Sequence, residues 1–379
     1  MRIAVVAESF LPRVNGVSNT VRQVVARLGA QGRECIVIAP DFCLDDHVEG
    51  VPVVRMKSLQ LPGVPDVDVA FGRAAPIAGI LDDFGACVVH LASPFILGAR
   101  AQSAAESLGI PTVAVFQTDV AGFARHYRLG PLTGIADAMI GRIHRRATMT
   151  LAPSRSSADY LHGLGVRRIR SWGRGVDLRL FRPDARCVHL RERLGGGLPL
   201  VGYVGRLAPE KRIEALLPLA HRTDIRLVII GDGPEQAFLR RAMPHAVFLG
   251  HLSGPALASA MASLDVLVAP GELETFCQVI QEAMASGVPV VAPGVGGPLD
   301  LIEHGRDGLL YPPGDHLALV AAVEQLVGSR ALRLRIADAG LERVSLRSWD
   351  ALTDELVGHY EHVCRVNARV GRASVAAAA

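Results

Sequence analysis

The sequence predicts an α/β protein built of two doubly wound parallel-sheet domains, and three observations carry that prediction. Short apolar, partly β-branched runs alternate with helical periodicity, the pattern of parallel strands joined by crossover helices. At 379 residues the chain is too long for one ordinary core. After a break rich in turn residues, the second half repeats the strand–loop–helix order without repeating the sequence.

The totals narrow the class. With 50% hydrophobic and 20% charged residues the composition is that of a soluble globular protein, and a net charge of +3 gives no support to a nucleic-acid partner. Cys35, Cys43, Cys87, Cys187, Cys277 and Cys364 show no Cys-x-x-Cys or metal spacing, so free thiols in a reduced compartment are expected. The apolar run Ile3–Ala7 is broken by Glu8 and is too short for a signal-peptide core. No run reaches the length of a membrane span, which predicts a cytoplasmic protein.

Taken in order, residues 2–7 read as a first, central strand, and Val17, Val21, Val24, Val25 and Leu28 trace the helix after it. No Gly-x-Gly-x-x-Gly follows that strand, which argues against a nicotinamide oxidoreductase. Further strands are expected at 34–39, 86–91, 112–116 and 148–152, with the ligand-facing loops at their carboxyl ends. The pattern breaks between 175 and 197. New strands follow at 200–204, 226–230, 247–249, 265–269 and 288–292. A final helix carries Trp349, Leu352, Leu356 and Tyr360 on one face, which must be buried somewhere.

The chemistry gathers after the strands of the second half. Gly205-Arg206-Leu207-Ala208-Pro209-Glu210-Lys211 is a glycine turn delivering two cations: Arg206 offers a planar fork and Lys211 a point charge. Gly231-Asp232-Gly233-Pro234 and Gly294-Val295-Gly296-Gly297-Pro298 let backbone approach a ligand closely. In Glu274-Thr275-Phe276-Cys277-Gln278 a helix is expected to open at Thr275, offering the amides of residues 275–277 to an anion, with Glu282 on the face of Gln278. On spacing alone, Glu274 is either a plain cap or a ligand. Glu272 reads as a loop residue, and Asp66 and Asp68 as surface carboxylates.

The ordered set of Val204 to Lys211, Gly231-Asp232-Gly233-Pro234 and the Glu274/Glu282 pair resembles the retaining glycosyltransferases of family 4. The stretches Ala7-Glu8-Ser9-Phe10-Leu11-Pro12, Asn15-Gly16-Val17, Phe116-Gln117-Thr118-Asp119 and Glu274 to Gln278 look like those of actinobacterial GDP-mannose-dependent α-mannosyltransferases acting on glycolipids. The resemblance implies the GT-B fold: two facing Rossmann-like domains, with the C-terminal helix crossing back to the first. It places an acceptor-side domain at 1–178, with the returning helix at 348–366, and a nucleotide-sugar domain at 179–347. The Ala-rich tail, 367–379, is expected to be disordered.

Carried over by motif, Arg206 and Lys211 would bind the donor diphosphate, Glu282 the ribose hydroxyls, and Glu274 the transferred sugar. Gly205, Gly231, Phe276, Cys277 and Gln278 complete the donor side, and Gly16 would approach the phosphate from the first domain, where Asn15 stands in place of the family's other glycine. Gln117 and Asp119 lie toward the acceptor or sugar; Gln117 occupies the place of a histidine in many relatives, so no catalytic histidine carries over. His126 and Tyr127 receive no role. No metal and no cofactor are expected beyond the GDP-mannose donor substrate.

The expected partners are that donor and a glycolipid acceptor. An anionic membrane surface at the inner face of the plasma membrane could meet the basic cluster Arg142, His144, Arg145 and Arg146, a cluster a solvated helix face explains equally well. A UDP-sugar donor, a soluble acceptor, and a non-catalytic nucleotide-sugar-binding protein are the competing readings.

Overall fold

A computed structural model of the chain describes residues 1–12, 15–41, 46–60, 68–70, 74–117 and 130–378. It divides into two compact units, Met1–Arg174 with Trp349–Ala379, and Gly175–Ser348. The divisions fall four residues before the expected 178/179 and one after the expected 347/348, for a local reason. Val176 bridges Ser348, its amide donates to the Arg347 carbonyl at 2.9 Å, and its side chain is fully buried in the second unit's core.

The first unit runs β1 (Ile3–Ala7), α1 (Gly16–Ala30), β2 (Cys35–Pro40), β3 (His47–Val48), β4 (Val51–Met56), β5 (Ser58–Gln60), β6 (Asp68–Ala70), α2 (Ala74–Phe84), β7 (Val88–Ala92), α3 (Ile96–Ser107), β8 (Thr112–Val115), α4 (Gly130–Arg146), β9 (Met149–Ala152), α5 (Arg155–Gly163) and β10 (Ile169–Ser171). Its main sheet has the order β10-β9-β8-β7-β1-β2-β4-β3, parallel except for the β3–β4 pair. Strand β1 lies between β2 and β7, with Ile3 in register with Cys35 on one side and Val88 on the other. The chain builds outward from β1 first one way and then the other, so the crevice for a ligand opens at the carboxyl ends of β1 and β7.

The second unit contains α6 (Val188–Gly195), β11 (Leu200–Val204), α7 (Leu217–Ala220), β12 (Arg226–Ile230), α8 (Gln236–Ala242), β13 (Val247–Gly250), α9 (Gly254–Ala262), β14 (Val266–Val268), α10 (Gln278–Ala285), β15 (Val290–Pro293), α11 (Pro298–Leu301), β16 (Leu309–Tyr311), α12 (His316–Gly328) and α13 (Arg330–Val344). Its parallel sheet has the order β13-β12-β11-β14-β15-β16, with Val201 beside Val266. The order reverses between β11 and β14. The loops after these two strands therefore emerge side by side, and they carry Arg206, Lys211 and Glu274.

The last helix, α14 (Trp349–Ala378), packs on the first unit, as its apolar face requires. Trp349, Leu352, Leu356 and Tyr360 are buried there, and the Trp172 indole donates to the Leu352 carbonyl at 2.9 Å. Tyr360 hydrogen-bonds Nδ1 of His90, itself buried on β7. The helix continues to Ala378, within the tail expected to be disordered, as the high helix propensity of alanine favours. Among the described residues no helix is long and apolar enough to cross a membrane.

Candidate active site

In the second unit the loop after β11 is fixed from three sides. The Tyr203 hydroxyl donates to the Arg206 carbonyl at 2.8 Å. The Leu207 amide donates to the Asp232 carbonyl at 2.7 Å, and the Glu235 amide returns to the Leu207 carbonyl at 2.9 Å. Gly231 has φ +135°, and a Cβ there would lie 1.9 Å from the Gly205 carbonyl oxygen, so only glycine lets the two loops touch. The Arg206 residue is exposed on this frame, and its side chain makes no hydrogen bond or ion pair with a described residue.

Lys211 ends a short 3₁₀ turn and points inward. Its Nζ meets Glu274 Oε1 at 2.6 Å, with 27% and 18% of the two side chains exposed. Burial pulls the lysine pKa down, and the acidic groups around it, Glu274 foremost and Glu210 among them, outweigh this, so the ammonium is held above its ordinary value. The Cys277 thiol lies within the field of Glu274, Lys211 and Glu282. Burial, with Glu274 adding to it, pushes that thiol well above its ordinary range and keeps it protonated.

The helix after Glu274 begins later than the sequence suggests. Cys277, in the left-handed region at φ 70°, is the N-cap of α10, whose first residue is Gln278 rather than Thr275. The cause is tertiary. The Gly297 amide donates to the Glu274 carbonyl at 2.8 Å, and a Cβ on Gly297 would lie 2.5 Å from the Phe276 carbonyl oxygen, so this backbone holds residues 274–276 out of helical form. The amides at the mouth are those of Gln278 and Val279 rather than of residues 275–277. Phe276 and Cys277 are buried in the core, and Gln278 Nε2 donates to the Gly175 carbonyl at 2.9 Å. Glu282 sits one turn along α10, in line with Gln278.

Sequence reasoning passed over a second contact between the same loops. Glu272 Oε1 accepts from the Gly314 amide at 3.0 Å, while Oε2 lies 3.8 Å from Arg212 Nη1. Arg212, at φ 53°, follows Lys211 as Glu272 precedes Glu274. The only trace of this in the sequence is the doubling itself, two adjacent cations and two acids at alternate positions.

In the first unit Gly16 opens α1, and Asn15, which departs from the family's glycine pair, is its N-cap. The Asn15 side chain accepts from the Val17 and Ser18 amides in a capping box. The Arg174 guanidinium lies against Gly16, where a Cβ would approach Nη1 to 2.8 Å; nothing in the sequence pattern singled it out. Glu8, just past β1, accepts from the Leu97 amide at the start of α3. Burial pushes its carboxyl up to about 8 against the amides of residues 95–98, which lower it. Gln117 is buried after β8 beside a small cavity of about 20 Å³.

Asp119, His126, Tyr127 and Asp66 lie outside the described residues. The basic cluster on α4 is not a uniform solvated face. His144 is buried and bonded to Thr150 Oγ1 at 3.1 Å, and Arg146 pairs with Glu106. Burial lowers the His144 pKa to about 4, so it carries no charge near neutrality.

Comparison with known proteins accounts for this arrangement. Residues 14–180 match the family described as Glycosyltransferase Family 4, and residues 198–329 the one described as Glycosyl transferases group 1. The chain is 49% identical to the GDP-mannose-dependent alpha-mannosyltransferase of Mycolicibacterium smegmatis, covering 100% of both chains. It is 36% identical to the phosphatidyl-myo-inositol mannosyltransferase of Mycobacterium leprae, covering 99% of this chain and 100% of that one. The sucrose-phosphate synthase of Thermosynechococcus elongatus superposes with a TM-score of 0.79 at 21% identity, covering 96% of this chain and 99% of that one, a likeness of fold. With its switch-point cations and paired carboxylates, the chain belongs to glycosyltransferase family 4 and is an enzyme of the GT-B fold.

Proposed function

We propose that this enzyme transfers an α-mannosyl residue from GDP-mannose, with retention, to a glycolipid acceptor at the inner face of the membrane. The contact between Lys211 and Glu274 at the β11/β14 switch point carries the reading, because it sets a cation for a diphosphate beside a carboxylate for a sugar. The names of the relatives in Mycolicibacterium smegmatis and Mycobacterium leprae support the mannosyl donor and the lipid acceptor.

In this reading Arg206 and Lys211 bind the diphosphate and Glu282 the ribose hydroxyls. Glu274 orients the mannose, and the Gln278 and Val279 amides face phosphate. The acceptor oxygen bonds to the anomeric carbon on the face from which the diphosphate leaves, and the departing phosphate oxygen takes the acceptor's proton. The protein supplies charge stabilisation to the leaving group and needs neither a covalent nucleophile nor a metal ion for it.

Purified enzyme incubated with mannose-labelled GDP-mannose and a membrane lipid extract should move label into the lipid phase. Glu274→Ala should abolish transfer while leaving the circular dichroism spectrum unchanged. Label in soluble sugars alone would overturn the lipid acceptor, and competition by UDP but not GDP would overturn the donor.

A further inference from the structure

The proposed donor site carries an ion pair of its own. Lys211 and Glu274 hold one another at 2.6 Å, and backbone walls the pair in: a Cβ on Gly271 would lie 3.2 Å from Glu274 Oε1 and 3.6 Å from the Lys211 Cα. Both main chains are fixed, Lys211 by its amide on the Ala208 carbonyl at 2.9 Å and Glu274 by its carbonyl on the Gly297 amide at 2.8 Å. Opening the pair therefore costs side-chain movement alone. The outer contact of Arg212 with Glu272, with Glu272 tied to Gly314, keeps the two loops in place while it opens.

We propose that the Lys211–Glu274 ion pair is a partner-exchange latch, which makes the sugar subsite depend on a seated diphosphate. The inference rests on the donor reading given above. A diphosphate carries more charge than one carboxylate and draws the ammonium to itself. Glu274 then keeps its charge and loses its partner, and a carboxylate in that state can only accept hydrogen bonds, which sugar hydroxyls donate. Without the diphosphate, the Glu274 oxygen is occupied by Lys211 and a free sugar competes with an ammonium for it. Nucleotide and monosaccharide thus bind with positive coupling, and the coupling is reciprocal. Free mannose is rejected, and the sugar is gripped only when it arrives on a nucleotide.

The test is calorimetric titration of the full chain with GDP, with mannose, and with mannose at saturating GDP. Wild type should bind mannose about tenfold more tightly when GDP is present. Two variants separate the latch from plain repulsion between Glu274 and phosphate. Glu274→Gln removes the charge, whereas Glu274→Asp keeps the charge and falls a methylene short of Lys211. A latch predicts that both bind GDP about tenfold more tightly than wild type and that both lose the coupling to mannose. Tightening by Gln alone, or by neither variant, overturns it with the donor reading intact. If UDP binds and GDP does not, the donor reading falls, and the latch stands or falls on the same two variants titrated with UDP.

Discussion

Arg206 and Lys211 share one loop, yet their surroundings give them different consequences on removal. Lys211 is held by Glu274, so its loss leaves a carboxylate without its cation, whereas Arg206 is exposed and its side chain has no partner among the described residues. Arg206→Ala should therefore leave the melting temperature unchanged, as exposed substitutions do. Its cost should fall on the reaction, because a cation positioned for a leaving diphosphate is worth roughly 3 kcal/mol, about a hundredfold in kcat. A loss of that size in steady-state kcat with an unaltered melting curve is the expected outcome. A fall in melting temperature with full activity would assign Arg206 a structural role.

At the scale of elements, what the sequence showed and what it hid have separate physical causes. The strands around each switch point were legible because they are buried on both faces and so read as continuous apolar runs: all five residues of β1 are buried. Strand β4 was hidden because Pro52 and Arg55 interrupt its run, and β16 because Gly308 and Pro312 cut its apolar run to three residues. The start of α10 was hidden for another reason, since the backbone of Gly297 decides where Phe276 may go and no local pattern records that. Similarly, the apolar face of α14 was plain, while its polar anchor was not. His90 is buried in mid-strand, and the Tyr360 hydroxyl on α14 meets its Nδ1. Tyr360→Phe keeps the packing and strips the histidine of that partner, which should cost about 1–3 kcal/mol of stability. Urea denaturation of the variant measures the loss, and an unchanged midpoint would show that the hydrogen bond contributes nothing.

For the whole molecule, three displaced groups of the first unit, His90, His144 and Glu8, set opposing dependences on pH between 4.5 and 8. Burial holds His90 at about 3 and His144 at about 4, both below the ordinary 6.5, and holds Glu8 at about 8, above the ordinary 4.5. Between pH 4.5 and 6.5 the unfolded chain binds two protons that the folded chain refuses, on the histidines, while the folded chain keeps one on Glu8 that the unfolded chain releases. The net excess of one proton in the unfolded state makes stability fall as pH falls, by about 1 kcal/mol per pH unit. Between 6.5 and 8 only Glu8 differs, the excess lies with the folded state, and stability falls as pH rises. These groups therefore place a maximum in the first unit's stability near pH 6.5. Both tryptophans, Trp172 and Trp349, belong to that unit, so urea denaturation followed by tryptophan fluorescence reads it selectively. Glu8→Gln should remove the decline between pH 6.5 and 8 and leave the acid side falling more steeply, because the opposing proton is gone. A wild-type midpoint that keeps rising to pH 8 would show that Glu8 ionises freely in the folded protein.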